Sequence, residues 1–281
     1  MDGTDVILGV FKSSKQHSEN MKPLLTALLM LLTLQAHAAD WEDSPAVGEL
    51  FKAAGVTGTF VLYDVSRQKL IGHNQGRAET RFIPASTFKI PNSLIGLSTG
   101  AVQSVDEVLP YGGKPQRFKF WEKDMGLRDA IRISNVPIYQ ELARRIGLER
   151  MRENVAKLDY GNMEIGETVD NFWLVGSLKI SAVEQTRFLA RLAQEELPYP
   201  LEIQNTVREI IRLDQGENWT LFAKTGWGGN TIPEIGWWVG WVEKDGRVYA
   251  FALNVDVYQA SDADKRIPLG KASLKALGIV P

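Results

Sequence analysis

Residues 84–89 read Pro84-Ala85-Ser86-Thr87-Phe88-Lys89, and the chain changes character at this point. Pro84 favours an extended or turning entry, and the apolar spacing that follows, Phe88, Ile90, Leu94, Ile95 and Leu97, predicts a helix. Ser86 opens that helix, where unpaired backbone N–H groups and the positive end of the helix dipole favour negative charge on or beside a serine oxygen. Lys89 is three residues on, on the same helical face, within reach of the hydroxyl. A serine alcohol becomes a nucleophile when a neighbouring base takes its proton, and a lysine at this spacing can be that base. The spacing alone is equally met by a capping serine followed by a surface lysine. The surroundings favour the reactive reading. Lys89 lies between Phe88 and Ile90 and is the only charge from Ile83 to Val105, which predicts a buried amine kept neutral by desolvation.

On either side of this boundary the patterning differs. Ser44 to Ala54 predicts a short helix with Ser44 as its cap, Pro45 in its first position and Gly55 as its stop. Gly58 to Asp64 and Lys69 to His73 then predict two strands joined by a polar turn. Near the other end, Thr220 to Ala223, Gly236 to Val242 and Arg247 to Val255 predict three strands, the last two joined through Asp245-Gly246, a hairpin signal. A helix from about Asp264 to Leu277, broken early by Pro268, closes the chain. The middle is helical: Asp129 to Ile146, Leu148 to Leu158 and Ser181 to Ala193, with Gly147 and Gly161 as breaks. The expected class is α+β: one antiparallel sheet built from both termini and flanked by helices, with an inserted all-helical domain. The expected boundaries are a sheet subdomain at about 39–85 plus 212–281 and a helical subdomain at about 86–211.

The 281 residues, 44% hydrophobic, suffice for a large core, and the net charge of −2 gives no reason to expect nucleic acid as a partner. The absence of cysteine excludes disulfides, thiol nucleophiles and cysteine metal sites. The histidines are His17, His37 and His73, too few in the folded part for a histidine-rich zinc site, and no metal is expected. Lys22, the apolar run Leu24 to Leu34 and the A-x-A pattern Ala36-His37-Ala38 predict a signal peptide at 21–38, with cleavage before Ala39. Residues 1–20 precede Met21 and read as an upstream extension. The expected location is the periplasm, with no stable membrane insertion of the mature chain, because the apolar run is short for a span.

Five further sites extend the Ser86 motif. Lys224-Thr225-Gly226 follows a strand and offers a fixed cation and a hydroxyl to an anionic substrate. Ser134-Asn135-Val136 lies in the helical part, Tyr160-Gly161-Asn162 at a helix end, and each taken singly also reads as an ordinary helix or turn element. With Phe172-Trp173-Leu174 and the strand Gly236-Trp237-Trp238-Val239-Gly240-Trp241, their order and spacing resemble the class D, or oxacillinase-type, serine β-lactamases from about Trp41 to Pro281. Val136 is the discriminating position: class A enzymes and penicillin-binding proteins share the first and last motifs but carry Ser-x-Asn in the second. Trp227 stands where many relatives have phenylalanine or tyrosine.

The resemblance implies a penicillin-recognising fold that hydrolyses small-molecule β-lactams, as a monomer or homodimer and without a cofactor. It implies Ser86 as nucleophile and Lys89 as general base, carboxylated on its amine by carbon dioxide or bicarbonate to N6-carboxylysine. Trp173 would donate to that group. Ser134 would pass a proton to the leaving nitrogen with Lys224 beside it, and the Ser86 and Trp227 N–H groups would form the oxyanion hole. Val136, Leu174, Lys224, Thr225, Gly226, Trp227 and Arg266 would line the substrate site. Gly96-Leu97-Ser98-Thr99-Gly100 fits a lipase-like nucleophile elbow but lacks the preceding strand and a later histidine. A penicillin-sensing domain or a cell-wall peptidase, acylated but slow to turn over, is the alternative reading.

Overall fold

The computed structural model describes residues 40–281; the expected signal peptide and upstream extension lie outside them. Strand β1 (Asp40–Asp43) leads into helix α1 (Pro45–Ala54), whose cap is as expected: the Val47 N–H donates to the Ser44 hydroxyl, and Gly55 ends the helix at a left-handed φ of 62°. Strands β2 (Gly58–Asp64) and β3 (Lys69–His73) and the short helix α2 (Gln75–Glu79) follow. A 3₁₀ turn, Ala85–Phe88, then runs into helix α3 (Lys89–Ser98). The helical middle comprises α4 (Leu127–Arg132), α5 (Val136–Ile146), α6 (Leu148–Lys157), α7 (Ala182–Ala193) and α8 (Leu201–Ile210). The chain returns through β4 (Arg212–Gln215), β5 (Trp219–Gly228), β6 (Glu234–Lys244) and β7 (Arg247–Val257) and ends with α9 (Ala260–Asp264) and α10 (Arg266–Ala276).

Seven strands form one sheet in the order β1-β3-β2-β7-β6-β5-β4, so its centre is the junction of the two ends of the chain. All pairs are antiparallel except β1 with β3, which corrects the expectation of a purely antiparallel sheet. The segment Asp-Trp-Glu-Asp is too polar to read as a strand. The long connection through α1 and β2 carries the chain back to the β3 edge in the parallel sense.

Period-two alternation along β6 divides the core into two layers. Trp237, Val239 and Trp241 enter the cluster shared with α3, α5 and α7; Trp238 and Val242 enter the opposite cluster, with α1 and α10. Both layers are apolar, so the tryptophan-rich strand is buried on both faces, and its three tryptophans have 1% exposure or less.

Two local expectations are corrected. The single helix read from Asp129 to Ile146 is two helices, parted at Ser134 (φ 53°), because Asn135 caps α5 by accepting from the Ile138 N–H at 3.1 Å and Pro137 fits only a first turn. Pro268 does not break the last helix. It is the third residue of α10, where a missing N–H leaves no helical bond unmade.

Candidate active site

The 3₁₀ turn fixes Ser86 and Lys89 relative to one another. The Lys89 backbone N–H bonds the Ser86 carbonyl, and its Nζ donates to Ser86 Oγ at 3.0 Å. Ala85, just before the serine, is held at φ 48°, a left-handed conformation that costs an L-residue on the order of 1–3 kcal/mol. Its amide donates to the Trp173 carbonyl at 2.9 Å, and Thr87 Oγ1 donates to the Pro84 carbonyl at 2.7 Å while accepting from Gln185 Nε2 at 2.8 Å. These bonds, made from three separate segments, hold the strained turn in place.

Lys89 is 1% exposed. Its ammonium position lies 5.1 Å from the Tyr139 ring centroid, and no ion pair among the described residues reaches it. Burial, reinforced by the nearby Lys224 charge, pushes its pKa well below the usual lysine value, which favours the neutral amine. Phe88 floors the turn, stacked on Trp173 at 5.5 Å and edge-on to Phe172 and Tyr160. Trp173 is fully buried, and its indole N–H has no hydrogen-bond partner. An unmade buried donor costs on the order of 1–3 kcal/mol, so this N–H would favour an acceptor placed within its reach.

A second pair stands beside the first. Lys224 Nζ donates to Ser134 Oγ at 2.5 Å and to the Thr225 carbonyl at 2.9 Å. Burial and the Arg266 charge lower its pKa to about 7. Ser134 takes its position from the left-handed turn between α4 and α5, and Val136 is the half-buried first residue of α5. β5 approaches the Ser86 turn closely. A Cβ on Gly226 would lie 3.0 Å from the Pro84 carbonyl and 3.1 Å from the Thr87 methyl, so a larger residue fits only if the turn or the strand gives by a few tenths of an ångström. The Ala223 N–H bonds the Ile211 carbonyl on the β4 side. Since β5 pairs with β6 without a register break, alternation turns the Thr225 and Trp227 N–H groups to that same edge, beyond the reach of β4.

Arg266, the first residue of α10, crosses to the sheet. Its Nη1 donates to the Gly226 carbonyl and its Nε to the Ala263 carbonyl. Gly236 makes the crossing possible, since a Cβ there would lie 2.9 Å from the arginine stem. Desolvation lowers its pKa to about 10, so it remains cationic at neutral pH. Leu174 is half-buried, its carbonyl beside Gly228.

The expected residues therefore gather, with one exception. Tyr160-Gly161-Asn162 stands a layer behind: Tyr160 packs on Phe88, while Asn162 binds the Ser177 carbonyl and the Lys179 N–H, each at 2.9 Å, tethering the segment that carries Trp173. Sequence reasoning missed Gln185, Tyr139 and Arg117. The first two look like ordinary residues of the buried faces of α7 and α5. Arg117, between Gln116 and Phe118, had a basic-aromatic signal that reads as a solvated loop. Among the described residues, no group of His, Cys, Asp and Glu side chains is placed to hold a metal, and no helix is long and apolar enough to cross a membrane.

Residues 58–275 match the penicillin-binding protein transpeptidase domain family. The chain is 42% identical over 233 residues to β-lactamase OXA-5 of Pseudomonas aeruginosa, covering 82% of this chain and 87% of that one. It is 37% identical over 251 residues to β-lactamase OXA-48 of Klebsiella pneumoniae, covering 89% and 95%. Among solved structures, FUS-1 (OXA-85), a class D β-lactamase from Fusobacterium nucleatum subsp. polymorphum, aligns with a TM-score of 0.82 at 43% identity, covering 85% of this chain and all of that one. The class D β-lactamase YbXI from Nostoc aligns at 0.81 and 40% identity, covering 83% and 99%.

Proposed function

We propose, from the premise that this chain belongs to the class D β-lactamases and is a hydrolase of the β-lactam amide bond, that Ser86 is its nucleophile and Lys89 its general base. The observation that carries this is the 3.0 Å contact between Ser86 Oγ and a buried, unpaired Lys89 amine. Lys89 takes the hydroxyl proton as Ser86 Oγ bonds to the lactam carbonyl carbon. The Ser86 and Trp227 N–H groups receive the charge on the carbonyl oxygen, the role for which the free edge of β5 suits Trp227. As the ring C–N bond breaks, Ser134 gives its proton to the nitrogen and regains one from Lys224, whose pKa of about 7 makes either protonation state accessible. Thr225, Arg266 and Lys224 hold the substrate carboxylate, with Val136, Leu174, Gly226 and Trp227 shaping the walls. Once the proton held by Lys89 has returned through solvent to Lys224, Lys89 takes a proton from water as the water oxygen bonds to the acyl carbon, and delivers it to Ser86 Oγ as the ester C–O bond breaks.

The same pocket suits carboxylation of Lys89. A neutral amine adds carbon dioxide through its nitrogen lone pair and loses a proton to solvent, and the unpartnered Trp173 N–H is a donor for the carbamate anion that results. Such a group supplies an oxygen base where the amine alone would supply nitrogen. Export to the periplasm, with residues 21–38 removed, is part of the same proposal; an active protein whose intact mass begins at Met1 or Met21 would contradict it.

The direct test is intact-mass analysis after a brief exposure to a penicillin. Wild type is expected to show a transient adduct that clears, and Ser86→Ala none. A full adduct on Ser86→Ala would remove Ser86 from the role.

A further inference from the structure

Arg117, in the loop between α3 and α4, reaches across to β5. Its guanidinium carbon lies 5.2 Å from the Trp227 ring centroid and 5.4 Å from that of Phe118, so it is held by two aromatic rings. The Arg266 guanidinium carbon is 5.9 Å from the same Trp227 ring, which places the two arginines within about 11 Å of each other, the sum of their distances to the ring. The ring itself is fixed, since its indole N–H donates to Glu234 Oε2 at 2.7 Å.

The two cations differ in what binds them. Arg266 is committed to two backbone carbonyls, whereas Arg117 is exposed and, among the described residues, forms neither a hydrogen bond nor an ion pair. Two carboxylates of the adjoining segments are engaged with other groups: Glu234 on the Trp227 indole and Glu122 on Lys119 at 2.5 Å. With none of its N–H groups engaged by a described residue, the Arg117 guanidinium is free to take a carboxylate in two parallel hydrogen bonds. A monoanionic β-lactam gives its one carboxylate to Lys224, Thr225 and Arg266. A second anionic group on the same molecule then meets Arg117.

Resting on the proposed assignment of that site, we propose that Arg117 is a specificity-determining residue that favours β-lactams bearing a carboxylate on the acyl side chain. It acts as a positioned, solvent-facing cation, so its effect is modest and sensitive to salt.

The test compares benzylpenicillin with α-carboxybenzylpenicillin, which differ by one carboxylate, in wild type, Arg117→Gln and Arg117→Lys. Arg117→Gln is expected to lower kcat/KM for the carboxylated substrate by about threefold to tenfold more than for benzylpenicillin. Arg117→Lys should keep part of the preference for the carboxylated substrate, and raising ionic strength should weaken that preference in wild type and Arg117→Lys but not in Arg117→Gln. Equal losses on both substrates, or a gap that ignores charge and salt, would overturn the proposal. Wild type unable to turn over benzylpenicillin would instead overturn the assignment beneath it.

Discussion

Arg266 shows how a single side chain is prepared for its task. Two of its donors are spent on carbonyls, so the guanidinium is fixed in direction before any substrate arrives, and little entropy remains to be lost on binding. Its contact with a carboxylate would exist in ground and transition states alike. Arg266→Ala is therefore expected to raise KM with little change in kcat, a loss of about 1–3 kcal/mol in kcat/KM. A fall confined to kcat would assign the residue to the chemistry instead of to anchoring. Its side-chain partners could not be read in the sequence, because Gly226 is forty positions away and adjacent Lys265 carries the same charge.

At the scale of elements, the site depends on how closely strand β5 packs on the Ser86 turn. Gly226→Ala inserts a methyl 3.0 Å from the Pro84 carbonyl, which is backbone and cannot swing aside. The expected result is a folded protein destabilised by about 1–3 kcal/mol, with a larger proportional loss of activity, because the displaced strand carries Lys224 and Trp227. Chemical denaturation alongside kinetics checks this; unchanged stability and activity would mean that the strand yields at no cost. The elements with strong patterns were legible: β2, β3 and α1 have the bounds their apolar spacing predicts. Those that were missed have a physical reason. Polar β1 and β4 exist only because a neighbouring strand offers them an edge. The Ser134 turn hides inside a continuous helical pattern, since periodicity records which face is buried and not a single left-handed residue. For the candidate site, the residues that gather around Ser86 were legible through local spacing and family resemblance, while Gln185 and Tyr139 join it through long-range contacts that no local pattern encodes.

The molecule as a whole gives up stability for its chemistry. Lys89 and Lys224 are both buried with folded-state pKa values below the ordinary lysine value of 10.5. Between the folded and ordinary values the unfolded chain binds more protons, so their contribution to stability rises with pH, for Lys224 from about 7 upward to 10.5. Below that window the burial penalty is felt in full. In carbon-dioxide-free buffer at pH 7, Lys89→Leu is expected to be more stable than wild type by about 1–3 kcal/mol, with the gain shrinking toward pH 10.5 and turnover abolished. Thermal denaturation across that range would contradict the account if the variant were less stable at pH 7.

The proposed chemistry requires a neutral Lys89 amine in its buried pocket, with the Trp173 N–H placed to donate to a group formed on it. The measurement that tests it most directly is ¹³C NMR of the protein equilibrated with ¹³C-bicarbonate, in the absence of substrate. One protein-bound carbamate resonance is expected in wild type, absent from Lys89→Leu, weakened in Trp173→Phe and lost on acidification as the amine is protonated. Wild type that shows no such resonance at saturating bicarbonate, or one that persists in Lys89→Leu, would contradict it.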